Sequence, residues 1–276
     1  MIGSVFSVGP AGTGKSTFSG ALKDWMISQG LDSAIVNLDP GAEFLPYEPD
    51  FDIREILSLS DVMSEYSLGP NGAQVVAADL MLENYQAILK PLEEFEDYYV
   101  IFDTPGQIEL FAFRQASPVL VDAITGGKAV IAFISDSVIS SSPSGFISQK
   151  LLYGSVISRF FKPSVNVLNK SDLLTDDEIS KITGWEEDPD RLQEAFMEEK
   201  QKMDKNYFNQ IIHAFHEINA IGKTIPVSSK EMLGLEEVYA SMSLYFRGGR
   251  GYRYHVQGRL NYYSVSIKKN DSDLAF

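Results

Sequence analysis

The sequence predicts an α/β protein with the three-layer P-loop NTPase fold: a mostly parallel sheet flanked by helices and carrying a helical insertion. Three observations lead there. Short β-rich runs alternate with helical stretches along most of the 276 residues, the pattern of strands joined by helical crossovers. Most of these runs are apolar throughout, as strands covered on both faces should be. A glycine-rich stretch ending in Lys15-Ser16 directly follows the first run.

The elements follow in order. Residues 2–8 form the first strand, which gives way at Gly9 to the glycine-rich turn, and residues 15–29 read as a helix. A second strand at 33–38 opens a connection from Asp39 to Ala73 that holds Pro40, Pro46, Pro49 and Pro70. Its composition gives an irregular path with two short helices, and so long a connection within a compact domain is usually functional. Residues 72–95 read as one helix that Pro91 ends or kinks. Strands at 98–102 and 129–135 bracket a helix at 110–125; a helix at 144–161 then leads to a strand at 164–168. Residues 175–222 are rich in Asp, Glu and Lys with a weak apolar period, and read as a helical insertion with a solvated charged face. A strand at 224–227 and a helix at 235–247 complete one domain over residues 1–248, followed by a C-terminal tail at 249–276.

Composition narrows the function classes. A formal charge of −15 disfavours nucleic-acid binding through a general basic field. Arg247, Arg250, Arg253, Arg259, Lys268 and Lys269 gather near the C-terminus among Tyr252, Tyr254, Tyr262 and Tyr263. They read first as an exposed, partly packed tail and second as a local nucleic-acid contact. The lack of cysteine excludes a disulfide scaffold, a thiolate metal centre and a cysteine nucleophile, and favours an intracellular protein. His213, His216 and His255 are too few to build a histidine metal centre. The first strand has no basic leader, and no run reaches the roughly eighteen apolar residues of a membrane span. The expectation is a soluble cytoplasmic protein without membrane contact.

The chemistry lies in the loops after the strands. Gly9-Pro10-Ala11-Gly12-Thr13-Gly14-Lys15-Ser16 matches the phosphate-loop pattern G-x-x-x-x-G-K-S/T in full. Its glycines let successive amides face phosphate oxygens, the helix that begins at Lys15 and runs through Ser16 and Thr17 offers its positive end, and Lys15 adds a cation. Ser16 would ligate Mg²⁺. Asp103-Thr104-Pro105-Gly106-Gln107 follows the strand at 98–102, so Asp103 can hold Mg²⁺ through water while Gly106 offers its amide to a γ-phosphate. A capping aspartate in a Pro-Gly turn is the plainer reading. Asn169-Lys170-Ser171-Asp172 fits N-K-x-D: the Asp172 carboxylate can accept from the two N–H groups of guanine, which adenine does not present. Asn169 and Lys170 would hold the loop and cover the ring. Ser228-Ser229-Lys230 is similar to an S-A-K loop that closes over guanine, which makes Ser229 and Lys230 nucleotide-binding candidates.

With these motifs in order, the chain resembles the GPN-loop GTPases over nearly its whole length. The insertion that names the family stands as Gly69-Pro70-Asn71, and Asn37-Leu38-Asp39-Pro40-Gly41 resembles the family's N-L-D-P-A segment with glycine for alanine. The resemblance implies a Mg²⁺-dependent hydrolysis of GTP to GDP and phosphate, in a homodimer that assists assembly of larger complexes such as RNA polymerase. It further implies that Asp39 is a switch acid near the attacking water, that Gln107 orients that water, and that Asn71 reaches the partner's nucleotide. Locally, Asp39 could serve as a cap and Gln107 could be a surface residue. Gly69-Pro70-Asn71-Gly72 describes a tight turn in which proline fixes φ and asparagine tolerates a left-handed conformation. Pro10 stands where many dimeric relatives carry a lysine that crosses to the partner. A P-loop kinase passing the γ-phosphate to a small acceptor is the alternative, but the 175–222 segment contains only Arg191 where such an enzyme needs an arginine-rich lid.

Overall fold

The computed structural model describes residues 1–199 and 223–246. Outside the described residues lie the second half of the helical insertion, the three histidines, and the basic, tyrosine-rich C-terminal segment. Seven strands form one sheet: β1 (Gly3–Val8), β2 (Ser33–Asn37), β3 (Phe51–Asp52), β4 (Tyr99–Asp103), β5 (Ala129–Asp136), β6 (Ser164–Asn169) and β7 (Thr224–Pro226). Their spatial order is β3-β2-β4-β1-β5-β6-β7, and every pairing is parallel. β1 therefore lies mid-sheet between β4 and β5, and all the strands end on the same edge. Loops leaving that edge are where ligands bind in open α/β sheets.

β3 is absent from the sequence reading. It is only two residues long, pairing Phe51 with Val36 and Asp52 with Asn37, so no periodicity marks it. Side chains build it instead. The Asp50 carboxylate accepts from the Ile35 amide and the Lys23 ammonium, both at 2.7 Å, and the Asp50 amide donates to the Ile35 carbonyl at 2.8 Å.

The helices are α1 (Lys15–Ser28), α2 (Leu59–Tyr66), α3 (Pro70–Glu83), α4 (Tyr85–Leu92), α5 (Ser117–Thr125), α6 (Ser137–Ser140), α7 (Pro143–Phe160), α8 (Asp176–Glu187), α9 (Pro189–Glu198) and α10 (Leu235–Phe246). The single helix expected at 72–95 is two. It breaks at Asn84, whose side-chain amide donates to the Leu80 carbonyl at 2.9 Å, while Pro91 is accommodated within α4. The helix expected at 110–125 forms only from Ser117. The Arg159 guanidinium draws on the carbonyls of Ala112 and Phe113, at 2.8 and 3.2 Å, so these are diverted from helical bonding. The Gly69-Pro70-Asn71 segment is not a turn with a left-handed asparagine. Gly69 is the N-cap of α3, Pro70 opens the helix as its fixed φ allows, and the left-handed residue is Ser67 at the end of α2.

Side chains alternate across the sheet into two apolar layers. Phe6, Val36, Phe102, Ile131 and Phe133 face α4, α5 and α7, while Val5, Ile35, Ile101, Val130 and Val167 face α1 and α10. Phe6 and Phe102 stack with ring centroids 4.4 Å apart, directly beneath the loops that follow β1 and β4. Among the described residues, no helix is long and apolar enough to cross a membrane.

Candidate nucleotide site

The phosphate loop connects β1 to α1. Gly12 and Gly14 take φ of 79° and 87°, a region that glycine enters without steric cost. At Gly14 a Cβ would also stand 2.6 Å from the Asn169 side-chain nitrogen, so the loop closes against the base loop only because that carbon is missing. Lys15 is buried and folds back over the loop: its ammonium donates to the carbonyls of Gly9 and Pro10, each at 2.9 Å, and of Gly106 at 2.8 Å. Burial pushes its pKa down to about 8, against the pull of Asp103 and Asp39.

Asp103 ends β4 and is 1% exposed. Its Oδ2 accepts from the Tyr47 hydroxyl at 2.8 Å, while the buried Oδ1 has no hydrogen-bond partner. Burial raises its pKa to about 6, opposed by the Ser16 hydroxyl, which lies near the carboxylate without completing a hydrogen bond to Oδ1, by the Tyr47 hydroxyl and by the charge of Lys15. Burial beside that carboxylate also pushes the Tyr47 phenol far up, which keeps it a donor. An unsatisfied buried carboxylate oxygen beside a phosphate-loop serine is a hard-oxygen donor set that suits Mg²⁺. Mg²⁺ is commonly held by one or two protein oxygens with the substrate's phosphates and water completing its shell. Among the described residues, no group of three or more His, Asp or Glu side chains is arranged to hold a metal ion by itself.

Asp39 follows β2. Its carboxylate accepts from the amides of Gly41 and Gly106, each at 2.9 Å. Asn37 orients it by accepting from the Asp39 amide at 3.0 Å. The Gly106 amide, expected to face a γ-phosphate, is thus engaged by Asp39. Asp39 and Lys15 together grip both backbone groups of Gly106, and Thr104 anchors the same turn to the Ser7 carbonyl at 2.7 Å.

On the other side of β1, Asn169 links two loops. Its amide nitrogen donates to the Thr13 carbonyl at 2.9 Å, and its oxygen accepts from the Ser229 hydroxyl at 2.7 Å. Lys170 has φ 62° and donates to the Gly12 carbonyl at 2.6 Å and to Asp136 at 2.7 Å. Asp172 is exposed, with its Oδ1 accepting from the buried Ser228 hydroxyl at 2.7 Å. Phosphate loop, Asp103 turn, N-K-S-D and Ser228–Lys230 therefore share one edge of the sheet.

Other expected site residues are less engaged. Thr17, Asn71, Gln107 and Lys230 are exposed. Gln107 contributes only its carbonyl, to the Leu110 amide, and Asn71 stands in the first turn of α3. The sequence reading missed Tyr47, Asp136 and the contact of Ser228 with Asp172. Asp136 had a signal, since it ends an apolar strand as Asp103 does. Tyr47 had none beyond its place between two prolines.

This fold and these loops define the class of P-loop NTPases. A family described as "conserved hypothetical ATP binding protein" matches residues 7–245. The GPN-loop GTPase 3 of Eremothecium gossypii is 39% identical over 176 residues, 63% of this chain and 65% of that relative, which is under two thirds of its length. The GPN-loop GTPase 3 of Kluyveromyces lactis is 36% identical over 191 residues, covering 68% of this chain and 70% of the relative. Among solved structures, a GTPase from Pyrococcus abyssi in its apo form superposes with a TM-score of 0.77 at 28% identity, over 89% of this chain and 98% of that one. The chain belongs to the GPN-loop GTPase family.

Proposed function

We propose that this protein binds Mg·GTP and hydrolyses its terminal phosphate, cycling as a homodimeric switch. The observation that carries the reading is the position of Asn169, one side chain joining the phosphate loop to the base loop. A ligand touching both loops is a nucleoside with its phosphates attached. Asp172, steadied by Ser228 yet exposed, selects guanine. That selection is the physical reason to prefer GTP over the ATP of the matched family's description.

In this reading Lys15 exchanges its three carbonyl partners for phosphate oxygens, and Ser16 and Asp103 hold the metal. When bound, Mg²⁺ neutralises charge on the phosphates and draws it from the bond that breaks. A γ-phosphate competes with Asp39 for the Gly106 amide. The displaced carboxylate is then free to accept a hydrogen bond from the attacking water, with Gln107 orienting that water. We further read the compartment as the cytoplasm, in line with a sequence that has no cysteine, and the role as assembly of a larger complex such as RNA polymerase, which rests on the family resemblance.

The kinase alternative lacks support in the insertion, where Arg191 lies 3.1 Å from Asp188. A turnover assay separates the two: GTP should yield free phosphate without an acceptor, and ATP should be a poor substrate. Asp172→Asn should weaken GTP by about 1–3 kcal/mol and favour xanthosine triphosphate, because guanine's two donors would then meet a mismatched amide. Unchanged GTP affinity in that variant would remove the guanine assignment.

A further inference from the structure

Tyr47 lies in the connection between β2 and β3, with Pro46 before it and Pro49 two residues after. The prolines stiffen the segment, and the bonds of Asp50 to Lys23 and Ile35 fasten its far end to the sheet. The Tyr47 side chain lies over Gly20 of α1, where an added Cβ would come within 3.3 to 3.4 Å of it. Gly20 therefore leaves the space that brings the ring against α1. From there the hydroxyl reaches Asp103 Oδ2 at 2.8 Å, and Oδ1 is left buried and unpaired.

Ring packing alone does not account for this hydroxyl. A phenylalanine would fill the same space, whereas the phenol adds a charge-assisted bond to one chosen oxygen of a buried carboxylate. Pinning Oδ2 restricts the rotation of the carboxylate and leaves Oδ1 as the oxygen with no partner of its own. We propose that Tyr47 is the positioning residue for Asp103: its hydroxyl holds one carboxylate oxygen so that the other stays available to the Mg²⁺ of the bound nucleotide. This rests on the reading of Asp103 as a metal-binding residue. It also gives the β2–β3 connection a direct line to the metal, because the segment between Asp39 and β3 carries the donor.

Removing an outer partner of a metal ligand typically costs 10- to 100-fold in metal affinity. The test uses the full chain and Tyr47→Phe, which keeps the ring. Dissociation of a fluorescent, non-hydrolysable GTP analogue is followed over a Mg²⁺ titration and in EDTA, with thermal melting of the nucleotide-free protein alongside. The half-effective Mg²⁺ concentration should rise about tenfold, with the rate in EDTA and the melting temperature close to wild type. In an Asp103→Asn background, Tyr47→Phe should then add nothing further, as expected of a residue that acts through its partner. A Tyr47→Phe titration that follows the wild-type curve overturns the assignment, and so does equal acceleration in Mg²⁺ and in EDTA, which is the mark of a packing role. A wild-type protein indifferent to Mg²⁺ would instead remove the Asp103 reading, and the Tyr47 assignment with it.

Discussion

Lys15 illustrates how a single side chain can store the response of a site. It satisfies its ammonium on three carbonyls, at the cost of burial that lowers its pKa to about 8. Phosphate oxygens favour its charged form, so binding draws a proton onto any Lys15 that has lost one. A base with a depressed pKa is mostly charged one unit below that value and mostly neutral above it. GDP affinity should therefore fall about fourfold between pH 7 and pH 8.5, the ratio of protonated lysine at those two values for a pKa near 8. Titration calorimetry in two buffers of different ionisation heat should also detect proton uptake at the upper pH. Affinity that stays flat over this range would mean Lys15 remains charged throughout. The place of Lys15 at the end of the glycine-rich loop was legible in the sequence because the phosphate-loop pattern is local. Its grip on Gly106 was not, since the two residues are 91 positions apart.

At the scale of elements, the loops after β1, β2, β4, β6 and β7 are held to one another mainly by side chains reaching across the sheet edge. The helical insertion is held in a different way. Lys150 of α7 pairs with Glu186 of α8, and Glu186 also accepts from the amide and hydroxyl of Thr224 in β7. The pair is nearly closed to solvent, with side chains 5% and 9% exposed, and burial lowers the Lys150 pKa against the pull of Glu186. Removing one partner of such a pair leaves a buried charge without its counterion. Lys150→Met should cost about 3–5 kcal/mol in denaturant unfolding. Adding Glu186→Gln should recover much of that, since a neutral amide still accepts from Thr224. Additive losses in the double variant would show that the two residues act independently. The sequence marked Glu186 only as one acid in a charged segment. Its burial is a tertiary fact, because the apolar face of α8 and α9 closes over α7 through Trp185, Leu192 and Phe196.

On the homodimer reading, each site is incomplete until a second copy supplies Asn71. Asn71 is exposed in the first turn of α3, whose Pro70 start makes the turn rigid and presents the amide without further ordering. Asn71→Ala should fold and bind GTP as wild type, yet hydrolyse it at least about tenfold more slowly, equivalent to ~1.4 kcal/mol of barrier. Mixing Asn71→Ala subunits with Gln107→Ala subunits should restore part of the activity, because each mixed dimer contains one site with both residues intact. Verified mixing without recovery, or a wild-type monomer of full activity, would end the cross-subunit role.

The sequence by itself determined the parallel α/β architecture, the glycine-rich loop after β1, and the positions of Asp103 at the end of β4 and of Asp172 in the loop after β6. Each of these is written in a short window: apolar runs of strand length, glycines where the chain must turn, an acid directly after a strand. Tertiary structure alone decided the rest. It placed β3 through the bonds of Asp50, broke the long helix at Asn84, and turned 111–116 out of helix by way of Arg159. It also set Asp39 on Gly106 and Tyr47 on Asp103. These contacts join residues far apart in the chain, and their energy exists only once the sheet has brought its strand ends to one edge.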